Sequence, residues 1–226
     1  MARPAIRATQ KSAQTRQRLV DAAANVFRAK GYAGARLVDI ADLAEMQVPG
    51  VYYYFASKDD LVEAVLREGV AKAHAFVEER VAAVPPGSPA LDRLRAAIEA
   101  HVLVVLEIGD YTSANIRIFG QLPDDIRRRH LAQQRRYGDL WRSLLEDARA
   151  AGELRSDLDL SVLRMLILGA LNWTVEWYRP GAQTATEIAR HATTMICEGV
   201  GLPAQRDRPQ GSGPSHTRRR RSQAKG

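Results

Sequence analysis

The stretch from Gln47 to Phe55 carries side chains suited to contacting DNA. It reads QVPGVYYYF and holds three consecutive tyrosines. Tyrosine hydroxyls donate to phosphate oxygens, valine and proline offer apolar contact to thymine methyl groups, and Gly50 lets the backbone approach the bases closely. The alternative for the aromatic run is ordinary core packing. We adopt packing for Phe55 and leave both interpretations open for Tyr54.

The segments on either side of this stretch predict a helix-turn-helix. Leu37 to Ala44 has an apolar stripe at helical spacing, and Ser57-Lys58-Asp59-Asp60 contains a capping pattern that starts a further helix. This is the outline in which a second short helix enters the major groove. The predicted DNA-contacting residues are Arg36, Gln47, Val48, Pro49, Gly50, Tyr52, Tyr53 and Lys58.

Positive charge is concentrated at the two ends of the 226-residue chain. The formal net charge is +7; residues 1–18 contribute +5 and residues 203–226 contribute +6, so residues 19–202 carry −4. We predict a flexible basic arm at 1–14 and a disordered basic tail at 203–226. Basic arms on a slightly acidic body favour electrostatic attraction to DNA phosphates, next to a separate element that reads the base sequence. The alternative is a basic architectural protein that binds DNA without reading its sequence.

The sequence offers little for catalysis or metal binding. Its single cysteine excludes an intrachain disulfide, which agrees with a cytoplasmic location. None of the five histidines stands in a metal-binding pattern, and no serine or cysteine nucleophile has an evident base. The apolar run 160–175 is interrupted by Arg164 and Asn172 and is shorter than the ~20 residues of a membrane span. We therefore expect no enzyme activity, cofactor, metal or membrane partner.

Helical periodicity continues through the chain and predicts an all-α fold of about nine helices. We place a helix-turn-helix domain of three helices at 15–60 and a helical-bundle domain for ligand binding and dimerisation at 61–202. Helix 8, about Asp157 to Tyr178, is apolar on more than one side, so we expect a twin helix to cover the side that the pocket leaves bare. The predicted dimer-interface residues on helices 8 and 9 are Leu163, Leu166, Ile167, Ala170, Ile188 and Ile196.

Polar groups beside aromatic ones predict a ligand pocket between the helices of the bundle. Trp173 and Trp177 are one turn apart, but a filled core with large side chains is the alternative. Arg117 and Arg164 are the candidate partners for an acidic group on a bulky apolar molecule. The predicted ligand-binding residues are Asn115, Arg117, Tyr137, Trp141, Asn172, Trp173, Glu176 and Trp177.

The segment from about Thr15 to Leu66 carries a pattern formed by Ala22, Ala23, Phe27, Gly31, Tyr32, Asp39, Ile40, Ala41, Tyr52, Tyr53, Tyr54, Phe55, Ser57, Lys58 and Leu61. This pattern resembles the DNA-binding domain of the TetR/AcrR family of one-component regulators. The usual Gly-Val of the family's turn is Glu45-Met46 here, and the usual capping Ser is Gln47, so the operator sequence stays open.

The resemblance implies a homodimeric repressor that leaves double-stranded operator DNA when a small-molecule inducer binds. The fragments 168–173 and 177–181 resemble a subgroup linked to fatty-acid and steroid catabolism, some members of which respond to acyl-CoA thioesters. In this family helix 6 lies between the pocket and the DNA-binding domain, which gives Arg117 a lever role.

Overall fold

A computed structural model describes residues 4–107 and 110–201. Within these ranges the chain forms nine α-helices and no strand, which confirms the all-α prediction. A short 3₁₀ turn, Phe119–Gln121, follows the sixth helix. The helices are α1 Pro4–Gly34, α2 Leu37–Leu43, α3 Val48–Tyr54, α4 Lys58–Ala82, α5 Ala90–Leu106, α6 Asp110–Ile118, α7 Asp124–Ala150, α8 Leu160–Trp177 and α9 Ala185–Val200.

A capping residue and left-handed glycines mark several helix termini. The Ser57 hydroxyl accepts a hydrogen bond from the Asp60 backbone N–H at 3.1 Å and begins α4. Gly31 has φ 70° and interrupts the helical backbone of α1, and Gly152 has φ 72° just beyond α7. A left-handed residue costs an L side chain ~1 kcal/mol or more, so glycine favours these ends.

Helix α1 begins at Pro4, where the sequence analysis predicted a flexible arm over residues 1–14. The backbone of residues 4–14 is thus helical, the flexible arm stays a prediction, and its first three residues lie outside the described residues. The segment from 4 onward contains alanine, glutamine, lysine and arginine and no glycine before residue 31. These are good helix formers, and proline is favoured at the first helical position. The predicted disordered tail at 203–226 also lies outside the described residues.

Two apolar cores share helix α4. The N-terminal core joins α1, α2 and α3 to the first two turns of α4, and it also takes Tyr111, Ala114 and Ile118 from α6. The second core joins α5, α7, α8 and α9 around Trp141, with Val77 from the other end of α4. Because α6 packs into the N-terminal core, that core extends beyond the predicted boundary at residue 60. The division at 60 stays a prediction.

Helix α8 is buried on one side and exposes apolar side chains on the other. Its exposed stripe contains Val162, Met165, Leu166, Ala170, Trp173 and Trp177, with Leu166 67% and Trp173 66% exposed. Met195 adds an exposed apolar side chain from α9. None of the helices in the described ranges is long and apolar enough to cross a membrane.

The predicted dimer-interface residues divide between these two sides. Leu166 and Ala170 are exposed, whereas the other four are buried in the protomer core, which corrects their assignment. The apolar pattern of α8 and α9 shows that two sides need cover, but it does not show which side faces the protomer's own core. The four buried residues are Leu163, Ile167, Ile188 and Ile196.

Candidate nucleic-acid interface and ligand site

Helix α3 has one face in the N-terminal core and one in solvent. Val51 and Phe55 are buried, as the sequence predicted for Phe55. Tyr52 and Tyr53 point outward and are 53% and 80% exposed. Tyr54 packs partly against the core and meets the Tyr53 ring edge-on at 5.0 Å, which favours packing for this residue. Two adjacent phenols are therefore presented to the surroundings from a helix that is fixed on its other side.

The turn between α2 and α3 contains a left-handed residue. Glu45 has φ 54° and is the one non-glycine residue with positive φ in the described ranges. The Met46 N–H donates to the Ala41 carbonyl at 2.9 Å and the Glu45 N–H to the Asp42 carbonyl at 3.1 Å. The turn keeps its geometry although it lacks the glycine that usually allows it, at a cost of ~1 kcal/mol.

The N-terminal turn of α3 exposes Gln47 and Pro49 and half-buries Val48 and Gly50. A β-carbon on Gly50 would lie 3.0 Å from the Met46 methyl group. A side chain at position 50 would therefore press on the turn as well as on any approaching base. Arg36, just before α2, is exposed as well.

Lys58 contacts backbone carbonyl groups of the protein in this structure, and its predicted phosphate contact stays a prediction. Its Nζ donates to the Tyr32 carbonyl at 3.0 Å and to the Ala35 carbonyl at 3.5 Å. The same ammonium lies 4.3 Å from the centre of the Tyr32 ring, whose hydroxyl donates to Asp59 at 2.8 Å. A lysine on a flexible stem satisfies carbonyl groups left unpaired at a helix end, and here it ties α4 to α1.

Polar contacts join α6 to the N-terminal domain through α1. The Tyr111 hydroxyl donates to Asp21 and accepts from the Gln17 amide at 2.9 Å. Burial and the neighbouring Asp21 carboxylate raise the pKa of Tyr111, so the phenol remains the donor. Asp110 pairs with Arg28, whose Nε lies 2.7 Å from its carboxylate.

Arg117 belongs to this same link, and its role as a partner for an acidic ligand group stays a prediction. Its Nη1 donates to the Arg28 carbonyl on α1 at 3.1 Å. One turn later the Gln121 side-chain oxygen accepts from the Tyr32 backbone N–H at 3.0 Å. The guanidinium is thus directed at the end of α1, and its lever role stays a prediction.

Helices α4 and α6 touch through their backbones at Gly69. A β-carbon there would lie 2.9 Å from the Tyr111 carbonyl oxygen, closer than real contacts allow. Beside it, the Asn115 amide donates to the Leu66 carbonyl at 3.4 Å, and the Asn115 oxygen lies 2.9 Å from His130 Nε2 on α7. Asn115 therefore sits at the junction of α4, α6 and α7.

A second polar cluster lies in the middle of the C-terminal core, where α5, α7 and α8 meet. Its centre is His101, which is 3% exposed. His101 Nδ1 lies 2.6 Å from the Tyr137 hydroxyl, and His101 Nε2 lies 3.0 Å from the Asn172 side-chain oxygen. With the amide oxygen facing it, Nε2 carries the proton, and the Tyr137 hydroxyl donates to Nδ1. Burial lowers the pKa of His101 to about 4, so the ring is neutral at pH 7.

Trp141 closes this cluster from α7. Its ring stands perpendicular to the His101 ring, with centres 5.6 Å apart, and perpendicular to the Tyr137 ring at 6.2 Å. Trp141 is fully buried, and its indole N–H lies beside the Tyr137 hydroxyl, whose oxygen can accept from it.

The structure brings together only part of the predicted ligand-binding set. Tyr137, Trp141 and Asn172 meet in this cluster, whereas Trp173 and Trp177 lie on the exposed stripe of α8, and their ligand-binding role stays a prediction. Glu176 is half-buried on α8. The spacing of 173 and 177 puts them on the same side of the helix, but Asn172 lies about 100° away from Trp173.

Comparison with protein families identifies both halves of the chain. Residues 19–65 match the family described as bacterial regulatory proteins, tetR family, and residues 87–200 match the tetracyclin repressor-like C-terminal domain. The two matches together cover most of the described chain. The protein belongs to the TetR family. The resemblance predicted from the residues around α2 and α3 is therefore confirmed and extends through the ligand domain.

Similar proteins support this membership in a transcriptional regulator family. The HTH-type transcriptional repressor KstR2 of Rhodococcus jostii is 28% identical over 199 residues, which cover 83% of this chain and 92% of the relative. The structure of the ketosteroid transcriptional regulator KstR2 of Mycobacterium tuberculosis has a TM-score of 0.71 at 22% identity, covering 83% of this chain and 95% of that one. AibR, solved with isovaleryl coenzyme A and operator DNA, has a TM-score of 0.72 at 23% identity and covers 80% and 97%.

For this TetR-family regulator, sequence reasoning missed His101. A lone histidine in the apolar run of α5 reads as a core residue, and its partners are 36 and 71 residues away. The Tyr111–Asp21 contact was missed for the same reason, since it spans 90 residues. Among the described residues, no group of three or more His, Cys, Asp or Glu side chains is arranged to hold a metal ion.

Proposed function

We propose that this TetR-family regulator is a homodimeric repressor that binds double-stranded operator DNA through α3 and leaves it when a small molecule occupies the C-terminal domain. The observation that carries the proposal is the outer face of α3. It presents Tyr52, Tyr53, Gln47 and Pro49 to solvent while Val51 on the opposite face is fixed in the core. Such a helix can enter a major groove as a rigid body.

Roles on this face follow from chemistry. Phenol hydroxyls and the Arg36 guanidinium bind phosphate oxygens, which position the reader without specifying sequence. Gln47 can pair with adenine in the major groove, and Pro49 with Val48 can contact thymine methyl groups. Gly50 keeps the backbone close to the bases. Lys58 is left out of the proposed contact surface, because its ammonium already binds carbonyl groups of the protein.

The exposed apolar stripe of α8 supports the homodimer. Large exposed apolar side chains that follow one helix face are typical of an interaction surface. A second copy fits this surface because the stripe is self-complementary in chemistry: Met165, Leu166 and Trp173 meet the same residues across a two-fold axis. Two copies of α3 that are related by that axis require two half-sites in the DNA, so the operator should be palindromic.

The ligand we propose is a bulky, largely apolar molecule, with an acyl-CoA thioester as the leading class. The C-terminal core around Trp141 is apolar, and its one polar cluster is uncharged. The name of AibR's bound ligand and that of the ketosteroid regulator KstR2 both point to apolar acyl or polycyclic compounds. A surface cleft of about 420 Å³ between α1, the α2–α3 turn and α6 is less suited, because Asp21, Glu45 and Asp110 line it.

The proposed mechanism is linkage between ligand and DNA. In one conformation of the dimer the two α3 helices match the half-sites of the operator, and in the other they do not. A ligand that binds the second conformation more tightly lowers operator affinity, at most by the ratio of the ligand's affinities for the two conformations. Helix α6 is the route, because its Ser113 hydroxyl donates to the Val105 carbonyl of α5, while Asp110, Tyr111 and Arg117 contact α1.

Selection of bound sequences from a random DNA pool tests the proposal. The expected outcome is a palindromic consensus whose half-sites are about one helical turn apart or a multiple of it. The operator-binding proposal is overturned if the protein binds DNA without enriching any sequence and the salt dependence of binding disappears when residues 203–226 are removed. That result would instead support the architectural alternative.

A further inference from the structure

Arg16 of α1 lies over the end of α3. Its guanidinium carbon is 4.8 Å from the centre of the Phe55 ring, and Phe55 is the residue that ends α3. Arg16 precedes the buried Leu19 and Val20 by three and four positions, so it stands on the core-facing side of α1, one turn before Leu19. A cation is therefore held at the edge of the N-terminal core, beside the helix proposed to enter the major groove.

The N–H groups of Arg16 have no partner in the protein. Among the described residues, none of the ion pairs and hydrogen bonds involves this side chain, whereas Arg28, Arg117 and Arg129 all bind groups of the protein. A guanidinium over a ring face keeps its N–H groups at its edge, from which they can bind both oxygens of a phosphate. Arg16 is half-buried, so part of its side chain is accessible from outside.

Covering the Phe55 ring does not by itself require a charge. Phe55 is 4% exposed, and an apolar side chain at position 16 would also shield it from water. A cation near the carbonyl end of α3 is favoured by the helix dipole. That structural role is the alternative for Arg16, and it predicts no effect of the side chain on DNA binding.

The place of Arg16 suits contact with a phosphate beside the groove. Helix α3 has seven residues and is about 10 Å long, whereas the major groove is about 12 Å wide. When the N-terminal turn of α3 lies among the base edges, its Phe55 end therefore comes near one of the two phosphate backbones that border the groove. No acidic residue precedes Asp21, so this part of α1 carries only positive charge.

We propose that Arg16 binds a phosphate of the operator at the C-terminal end of α3, with Phe55 as the support for its guanidinium. The inference rests on the proposed function, because it assumes that α3 enters the major groove, and it adds a DNA-binding residue from outside the α2–α3 pair. Because Arg16 is held on Phe55 before DNA arrives, it loses less rotamer freedom on binding than a free arginine would. Each protomer of the dimer supplies one such contact.

The salt dependence of DNA binding tests this contact. Arg16→Met keeps an apolar cover on Phe55 and removes the charge, whereas Arg16→Lys keeps the charge. The matched control is Arg18→Met, which removes the same charge from the same helix about 200° around its axis, where Arg18 lines a cleft with Asp21 and Glu45. Fluorescence anisotropy measures affinity between about 50 and 200 mM salt for the duplex most enriched from the random pool and for a scrambled version of it.

The Arg16→Met protein should show a shallower slope of log affinity against log salt, by about two, because each of two protomers loses a contact that contributes ~0.9. The change should appear with both duplexes, since a phosphate contact does not depend on sequence. Arg16→Lys and Arg18→Met should keep the wild-type slope within about 0.5. Circular dichroism checks that the variants are folded, and Arg16→Gln, with the same expectation, replaces Arg16→Met if that variant is not.

The inference is overturned if Arg16→Met binds with the wild-type slope, if Arg18→Met lowers the slope equally, or if Arg16→Lys loses as much slope as Arg16→Met. The sequences recovered from the random pool are judged separately. A palindromic consensus with an unchanged slope in Arg16→Met removes this inference alone. A slope loss confined to Arg16→Met, without any consensus, removes only the proposed sequence-selective repression.

Discussion

The reader helix and the His101 cluster place similar side chains in opposite environments. On α3, Tyr52 and Tyr53 lie in water and their hydroxyls are available to a partner at all times. In the C-terminal core, Tyr137 and Trp141 are enclosed, so their polar groups must be paired within the protein or by something that enters it. The first arrangement suits a surface that binds a large polyanion. The second suits selection of a small molecule that brings its own apolar body.

The largest expected effects come from placing a charge on the exposed side of α8 or on the buried side of α9. Leu166→Glu places a charge on the exposed stripe of α8 and should give a folded monomer with operator affinity reduced at least 100-fold, since each reader would bind alone. Ile196→Glu places the same charge in the protomer core and should unfold the protein. Sedimentation and circular dichroism separate the two outcomes. A Leu166→Glu dimer of wild-type affinity would contradict the proposed face.

Removing one aromatic ring from each region should lower stability in the C-terminal core and weaken DNA binding on α3. Trp141→Ala should lower the free energy of unfolding by about 3–5 kcal/mol, because it empties a fully buried site. Tyr53→Ala should change it by less than about 0.5 kcal/mol, because the ring is largely exposed. Urea unfolding measures both. Operator binding of the folded Tyr53→Ala protein should weaken across all sequences with a smaller salt slope, and an unchanged slope would argue against a phosphate contact.

The buried imidazole should make stability depend on pH. Folding holds the pKa of His101 near 4, below the 6.5 of the free side chain, so the unfolded chain binds a proton that the native protein does not. Stability from this group is present above pH 6.5 and is lost as the pH falls toward 4, by roughly 3 kcal/mol in total. His101→Gln should flatten this part of the stability curve.

The matched control is His191→Gln, which changes an exposed histidine of α9. Its stability curve should keep the wild-type slope between pH 6.5 and 4. The buried His130, whose pKa burial also lowers to about 4, contributes to the slope that remains in His101→Gln. A His101→Gln curve as steep as that of the wild type would show that the imidazole becomes protonated inside the fold.

The smallest expected effect lies in the reader turn. Glu45→Gly should stabilise the protein by about 1 kcal/mol, because glycine adopts the left-handed conformation without a β-carbon penalty. Glu45→Val should destabilise it by a similar amount or more, since a β-branched residue is least suited to positive φ. Thermal unfolding of the two variants measures the difference. Equal melting temperatures would show that the turn relaxes to accommodate either residue.

The sequence predicts what short-range patterns determine. Ser57 marks the start of α4 through a contact with a residue three positions away, Gly31 interrupts α1 through its own left-handed backbone, and the inner and outer faces of α3 follow from the positions of Val51 and Phe55. What it does not predict depends on distant partners. Lys58 turns toward carbonyl groups 26 and 23 residues earlier in the chain, and His101 finds its partners on two other helices. The sequence does not show which side of α8 faces the protomer core, because both of its sides are apolar.

The close approach at Gly69 has a mechanical consequence. Where side chains separate two helices, rotamer changes can absorb a small displacement of one before the other responds. At this crossing the α4 backbone lies against the Tyr111 carbonyl with no side chain between them. The joint is therefore stiff in compression, because a shift of α6 toward α4 meets backbone and not a side chain that could change rotamer. Gly69→Ala would wedge this joint apart and reset its resting position without altering either binding surface.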